Sequence, residues 1–447
     1  MMNKSKDDKR PRTLSVLRNR NFARLFSAGA ASVAGFAIGS VALTIVVYDN
    51  TGSPLDVASI GVSFTLASIV FSLVAGALVD RYERRKLMVI SDLVRAASLA
   101  LLVAWLVLFG FSLPLVLLVA FILGSFTTLF QPAERALTPE VVGEEQIGNA
   151  NALVQTSTSL FQFSANSIGG VLVVAAGATI AFGLNAATFL ASAILIAGIA
   201  GFSSRKGASA ASSGVRGSML KDIKEGFSYI ASNRGLLEFT VSAGAGNFFL
   251  AMALQFFVVY ADKALDGNGI TFGILTGLFA LGWAPGAYAS TRYKTVRRAG
   301  LVWIVVGVLV GACFVMMSLI PLLIPAMAFA FMAGTLLGLS NTTWLTAVQL
   351  IVPTDMQGRY FGLDQLGSFA VIPVGQVLGA FMIAASSVNL DFLVAGIGTA
   401  ASSGIFILSP YLRALGWKEP ADAAVTESAG GGTLAPFEGG IRTHESR

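Results

Sequence analysis

The stretch Gly76-Ala77-Leu78-Val79-Asp80-Arg81-Tyr82-Glu83-Arg84-Arg85-Lys86 decides the fold. It closes one apolar run, about 57–79, and precedes another, about 87–109. A helix needs roughly 20 apolar residues to cross the hydrocarbon core, and both runs are long enough. Four basic residues packed between two such runs mark the side of the membrane on which the loop stays.

Working outward, ten more runs of this kind can be read: about 22–48, 114–135, 151–176, 179–202, 236–260, 271–291, 300–319, 322–350, 360–385 and 389–412. The expected architecture is an all-α membrane protein with twelve transmembrane helices in two six-helix bundles. The first run is too long for a cleaved signal peptide, and no small-residue cleavage site is followed by a soluble mature chain, so it reads as a span. Composition agrees. The chain has 447 residues, 55% hydrophobic and 12% charged. That is half the charge of an average soluble protein.

The basic residues set the orientation. With both termini in the cytoplasm, 28 of the 30 Lys and Arg fall on that side, leaving Arg95 inside the third span and Lys263 outside. This is the positive-inside rule, so the net charge of +6 records topology and not a nucleic-acid partner. The expected location is the cell membrane, multi-pass. A single cysteine, Cys313, excludes an internal disulfide, and a single histidine, His444, leaves no His pair for zinc or haem. No Gly-x4-Gly-Lys-Ser/Thr loop suggests direct use of ATP. No cofactor, no metal and no enzymatic centre are expected.

The chain divides into an N-terminal arm (1–21), a first six-helix bundle (22–202), a central loop (203–235), a second bundle (236–413) and a disordered tail (414–447). In the central loop Leu220, Ile223, Phe227 and Ile230 share one helical face, which reads as an interfacial helix. The halves match at an offset of 210. Gly76-Ala77 falls on Gly286-Ala287, and Gln155, Thr158, Asn166 and Gly169 fall on Gln365, Ser368, Gln376 and Gly379. Parallel six-helix repeats imply a pseudo-two-fold axis along the membrane normal, with substrate between the halves.

Polar residues inside spans are the candidate site. On the fifth span Asn151, Gln155, Thr158, Gln162, Asn166 and Gly169 fall within roughly 80° of arc. Amides cannot face lipid unsatisfied, so this face points inward, to packing or to a cavity. Gln162, Asn166 and Gln376 are the leading cavity candidates, followed by Asn247, Gln255 and Asn341. Pro373 should kink the eleventh span. Charges near the membrane gather at the cytoplasmic ends: Asp92 and Arg95 one turn apart, Glu134 and Arg135 ending the fourth span, and Asp364 opening the eleventh. Asp49, Asp262 and Asp391 sit at the outer ends. With no acid at midplane, the cargo expected is neutral or amphipathic. Asp80 ends its helix where the macrodipole is negative, so it needs an external partner.

The 76–86 stretch resembles the signature loop of the major facilitator superfamily, Gly-x-x-x-Asp-(Arg/Lys)-x-Gly-(Arg/Lys)-(Arg/Lys), with Glu83 in place of the second Gly. Phe130-Gln131-Pro132-Ala133-Glu134-Arg135-Ala136-Leu137-Thr138-Pro139-Glu140-Val141-Val142, then Asn149-Ala150-Asn151-Ala152-Leu153, is similar to the enterobactin-exporter and macrolide-efflux branch. So is Lys221 to Ile230. The resemblance implies a secondary transporter exporting drug- or siderophore-like amphipathic molecules by alternating access, with protons as the antiported ion. It also implies that Gly76, Asp80, Arg81, Arg84 and Arg85 form a latch between the second and eleventh helices. Asp92, Arg95, Glu134, Arg135, Arg359 and Asp364 would belong to the same charge network. Antiporters of the superfamily often carry Gly-Pro-x-x-Gly-Gly in the fifth helix. Here Ala165-Asn166-Ser167-Ile168-Gly169-Gly170 keeps the glycines but has Asn for Pro. The partners expected are a small amphipathic substrate, protons and membrane lipid, with the chain a monomer. Uptake, lipid translocation and a non-transporting sensor or scaffold on the same fold remain open alternatives.

Overall fold

A computed structural model describes residues 13–143, 146–199, 228, 230–290, 299–352, 360, 364 and 367–414. The expected interfacial helix and C-terminal tail lie almost wholly outside these residues. The described helices are α1 (Arg20–Thr51), α2 (Pro54–Arg81), α3 (Arg84–Phe109), α4 (Leu113–Val142), α5 (Ile147–Ala176), α6 (Ala178–Ala197), α7 (Arg234–Leu254), the short α8 (Phe257–Lys263), α9 (Gly269–Ser290), α10 (Ala299–Leu319), α11 (Leu323–Ile351), α12 (Ile372–Ala385), α13 (Val388–Gly404) and the short α14 (Pro410–Ala414). Among the described residues, twelve spans are long and apolar enough to cross a membrane, the eleventh including the turn before α12 and the twelfth running just past α13. With twelve spans, the first span starts and the last one ends on the same side, called here the terminus end; the opposite side is the far end.

Local chemistry starts and stops these helices. Asn19 caps α1, its side-chain oxygen accepting from the backbone N–H groups of Asn21 and Phe22. Gly52 ends α1 in the left-handed conformation, at φ 60°. Ser53 then caps α2 by accepting from the Asp56 N–H, with Pro54 at the first helical position. These choices satisfy terminal N–H groups and use proline where its missing N–H costs nothing. The kink expected at Pro373 appears as a turn at Ala370–Val371, between the helical residues 367–369 and α12. Proline at 373 cannot donate to the carbonyl four residues earlier, which breaks the ladder at that point.

The packing repeats. In the first half α1 packs on α5 and α6, α2 on α4, and α3 on α4 and α6. In the second half α7 packs on α12 and α13, α9 on α11, and α10 on α11 and α13. These are the same pairings six spans apart. Two further pairings join the halves, α5 with α9 and α2 with α12, and each is the pseudo-symmetry mate of the other.

The buried core is continuous at one end and divided at the other. One cluster at the far end draws on both halves, including Val41, Leu99, Leu123, Phe182, Phe257, Phe314 and Phe392. Among the described residues, the terminus end holds two separate clusters. One contains Phe22, Phe130, Leu137 and Ile196 of the first half, the other Phe239, Trp344, Tyr360 and Leu412 of the second.

The candidate cavity and the seam between the halves

A cavity of about 470 Å³ runs from mid-membrane toward the terminus end. Phe36 of α1 and Phe64 of α2 meet edge to face at its deep end, with centroids 5.5 Å apart. Its walls are Ser68 and Ser72 of α2, and Thr127, Thr128 and Gln131 of α4, with Arg135 nearest the terminus end. Helical spacing makes these walls. Residues 68 and 72 are one turn apart, and 124, 127, 128, 131 and 135 recur at three- and four-residue steps on one face of α4. The hydroxyl protons are spent locally: Ser72 donates to the Ile69 carbonyl and Thr128 to that of Gly124, both at 2.9 Å. Their lone pairs therefore remain as acceptors toward the cavity, while Gln131 and Arg135 bring donors. Arg135 makes no hydrogen bond or ion pair with the described residues.

Behind this wall lies a buried ion pair. Asp92 and Arg95 of α3 are 0% and 1% exposed and bonded to each other. The guanidinium also donates to the Thr127 hydroxyl at 3.2 Å and lies over the rings of Phe130 and Phe189 at 4.9 and 4.3 Å. A charge so deep must be paired, and stacking on ring faces adds to the pairing. Glu134 turns away from the cavity, its carboxylate filling the notch left by Gly29 of α1.

The basic residues of the signature loop tie the first half together. Arg84 donates to the Ala136 carbonyl at 3.0 Å and pairs with Glu140, joining α3 to the end of α4. Arg85 donates to the Ile199 carbonyl at 2.7 Å, reaching past the end of α6. Glu83, at the position where the signature has glycine, binds Arg85 at 3.3 Å and Lys86 at 3.0 Å. Arg81 is exposed. Gly76 and Asp80 lie in the last two turns of α2, and the Asp80 side chain is outside the described set. Asp364 accepts from Thr240 at 3.2 Å and Ser368 at 3.5 Å, bonds inside the second half. Arg359 lies outside the described residues.

The amides divide into two groups. Gln255 and Gln376 meet at the seam. The Gln255 amide donates to the Val57 carbonyl of α2 at 2.8 Å, and Gln376 donates to the Gln255 oxygen at 3.3 Å. Both fit because residue 61 is glycine: a Cβ there would strike the Gln255 oxygen and the Gln376 nitrogen. Asn247 donates to the Ser368 carbonyl at 2.9 Å inside the second half. Asn341 is exposed on α11, and Gln162 is partly buried on α5. Asn166 presents its backbone carbonyl to α9. None of the six lines the cavity described above. The walls were not singled out from sequence, apart from Arg135, because a serine or threonine every turn also suits helix packing.

Glycines build the rest of the seam. Gly269, Gly273 and Gly277 fall on one face of α9 at four-residue steps. A Cβ on Gly273 would come within 2.7 Å of the Asn166 carbonyl and 3.1 Å of the Gly170 Cα, so the α5 and α9 backbones nearly touch. Gly282 and Gly286 occupy the opposite face and lie against the α11 backbone at Phe331 and Thr335. Small residues spaced by four allow such close crossings. Farther out, Tyr48 of α1 donates to Asp262 of the second half at 2.7 Å, and Lys263 pairs with Asp262 at 3.1 Å. Among the described residues, these polar bonds between the halves all lie in the far half.

Comparison with known proteins fits this architecture. The family model of transmembrane secretion effectors matches residues 12–424. The chain is 25% identical over 395 residues to the multidrug efflux pump Tap of Mycolicibacterium fortuitum, covering 86% of this chain and 94% of that one. It is 24% identical over 386 residues to macrolide efflux protein A of Streptococcus pyogenes, covering 84% and 92%. It is 26% identical over 389 residues to the enterobactin exporter EntS of Citrobacter koseri, covering 85% and 90%. The nucleoside transporter NupG shares the fold with a TM-score of 0.72 at 10% identity, over 87% of this chain and 99% of that one. Twelve spans, two pseudo-symmetric halves and a family match across nearly the whole length place this chain in the transmembrane secretion effector family of the major facilitator superfamily, a family of membrane transporters.

Proposed function

We propose that this protein is a secondary exporter of amphipathic small molecules, working by alternating access and driven by proton antiport. The observation that carries the reading is the asymmetry between the ends. The halves share one core, a glycine seam and an amide clasp at the far end, yet at the terminus end the cores of the described residues are separate and a cavity lies there. The basic loops assign the terminus end to the cytoplasm, so this is the inward-facing state. The relatives Tap, macrolide efflux protein A and EntS support export as the direction.

Cargo enters from the cytoplasm or the inner leaflet. Its apolar part rests on Phe36 and Phe64, and its hydroxyl or amine donors meet the Ser68, Ser72 and Thr128 oxygens. Its acceptor groups meet Gln131 and Arg135. The halves then rock about the middle: the far seam parts and the terminus end closes. In that second state Asp80 and Arg81 bridge the terminus ends of α2 and the segment preceding α12, with Arg359 and Asp364 alongside. Arg84 and Arg85 hold the base of the first half rigid in both states, since their bonds are internal to it. The protein works as a monomer, because the α5–α9 and α2–α12 contacts on which the halves pivot lie within one chain.

The test is transport by purified protein in liposomes under an imposed pH gradient, with labelled erythromycin, ethidium and a catecholate siderophore as cargo. Movement of at least one compound against its gradient, abolished by collapsing the pH gradient, is expected. Absence of movement for all three, or movement only in the uptake direction, overturns the reading.

A further inference from the structure

Among the described residues, Asp391 is the one carboxylate that neither the cavity nor the charge network uses and that is wholly enclosed, at 0% exposure. It lies in the first turn of α13, at the far end. Neither of its oxygens has a hydrogen-bond partner, and it makes no ion pair with the described residues. The helices packed on α13 are α7, α8, α10 and α12. Of these, α10 and α12 bring no charged side chain, and the Cys313 thiol of α10 is the only ionisable group there. The α7 charges, Arg234 and Glu238, sit at its terminus end, where they pair with each other. On α8, Tyr260 spends its hydroxyl on the Met317 carbonyl at 2.7 Å, and Asp262 is engaged by Tyr48 and Lys263. Among the described residues, no charge compensates Asp391.

Its position explains why this matters. A Cβ on Gly379 of α12 would lie 3.1 Å from the Asp391 oxygen Oδ1, 2.7 Å from the Phe256 ring and 3.1 Å from the Met252 Cα. Gly379 is one turn beyond Gln376, and Phe256 follows Gln255. The carboxyl is therefore lodged directly behind the amide clasp that joins α7 and α12 to α2. An ionised carboxylate enclosed without a partner is far costlier than the neutral acid.

We propose that Asp391 is a proton-binding site that operates the far-end seam. The seam closes only over the neutral carboxyl. When the seam parts, α7 and α12 loosen around Asp391 and water from the far side reaches it. The carboxyl then gives its proton to water, forming hydronium; on closure it takes a proton back and leaves water. Nothing else is consumed. Closure is thus favoured in acid and lost as pH rises. The inference rests on the alternating-access reading of the seam but on no particular cargo.

Two measurements on purified full-length protein in nanodiscs test it, without any substrate. The first is infrared spectroscopy with isotope-labelled aspartate. A carboxylic C=O stretch present at neutral pH is expected to vanish in Asp391→Asn and to shift in Asp391→Glu. The second is the spin-label distance between Leu55→Cys and Ser386→Cys, exposed positions at the far ends of α2 and α12, with Cys313 replaced by Ala. The wild-type short distance should give way to a longer one as pH rises, whereas Asp391→Asn should stay short throughout. The proposal is overturned by a missing carboxylic band, by a wild-type distance that ignores pH, or by an Asp391→Asn protein that opens with pH as wild type does. If Asp391→Asn does not assemble, the infrared band and its shift in Asp391→Glu still decide whether the acid is neutral. A failure of all transport assays would leave these readouts standing, so the two claims fail separately.

Discussion

Asp92 and Arg95 are the residues whose loss should be felt most. Removing one partner of an enclosed pair leaves the other charge uncompensated, which costs about 3–5 kcal/mol. Asp92→Ala should therefore lower the thermal unfolding temperature in detergent sharply, while Asp92→Leu combined with Arg95→Met should recover most of it. A double variant as unstable as the single one would show that the pair contributes more than mutual neutralisation. Gly61 makes a contrasting case. The atoms that a side chain there would meet are the ends of two flexible glutamines, which can swing aside. Gly61→Val should leave the fold intact but cost the clasp one or two hydrogen bonds, about 1–3 kcal/mol of the closed state. That is roughly a 5- to 150-fold shift toward far-end opening, readable as spin-label distance populations. An unchanged distribution would remove the clasp from the gating account. At this scale the sequence was partly legible. An i,i+3 Asp–Arg pair announces itself, and Gln255 and Gln376 were singled out, though as cavity candidates and not as partners at a seam. Their partnership was not visible, since it depends on a helix crossing between halves that are remote in the chain.

At the scale of elements, α9 carries the most. One of its faces, Gly269, Gly273 and Gly277, closes against α5, and the opposite face, Gly282 and Gly286, packs within its own half. The obstacle at Gly273 is backbone on the neighbouring helix, which cannot move without moving the helix. Gly273→Leu should therefore hold the seam apart while the second half still assembles. The expected phenotype is normal insertion, retained thermal stability, and transport reduced at least tenfold. Loss of insertion would mean that the seam is structural and not a gate. The spans themselves, their number and the break near Pro373 could be read from apolar length and from the geometry of proline. The glycine faces of α9 were equally present in the sequence, yet small residues at four-residue steps do not say which helix they meet. The cavity walls on α2 and α4 escaped for a related reason: a hydroxyl bonded back to its own helix costs little in lipid, so it carries no signature of a site.

Across the whole molecule, the two-fold repeat in sequence reappears as a two-fold repeat of packing, down to the paired contacts α5 with α9 and α2 with α12 that join the halves. The fold was legible at this level because charge sorting and apolar spans are long-range patterns written directly in composition. The conformational state was not, since in the proposed cycle one sequence serves both states and the difference between them is a small balance of seam contacts. That balance is the centre of the account. The most direct measurement is the labelling of Ser72→Cys, in the cavity wall, by a membrane-impermeant maleimide in vesicles of known sidedness, with Cys313 replaced by Ala. Wild-type background should label from the terminus side only, and adding Gly273→Leu should expose the same residue to reagent on the far side. Labelling of the unjammed protein from the far side alone, or a Gly273→Leu protein that still labels only from the terminus side, would contradict alternating access through this seam.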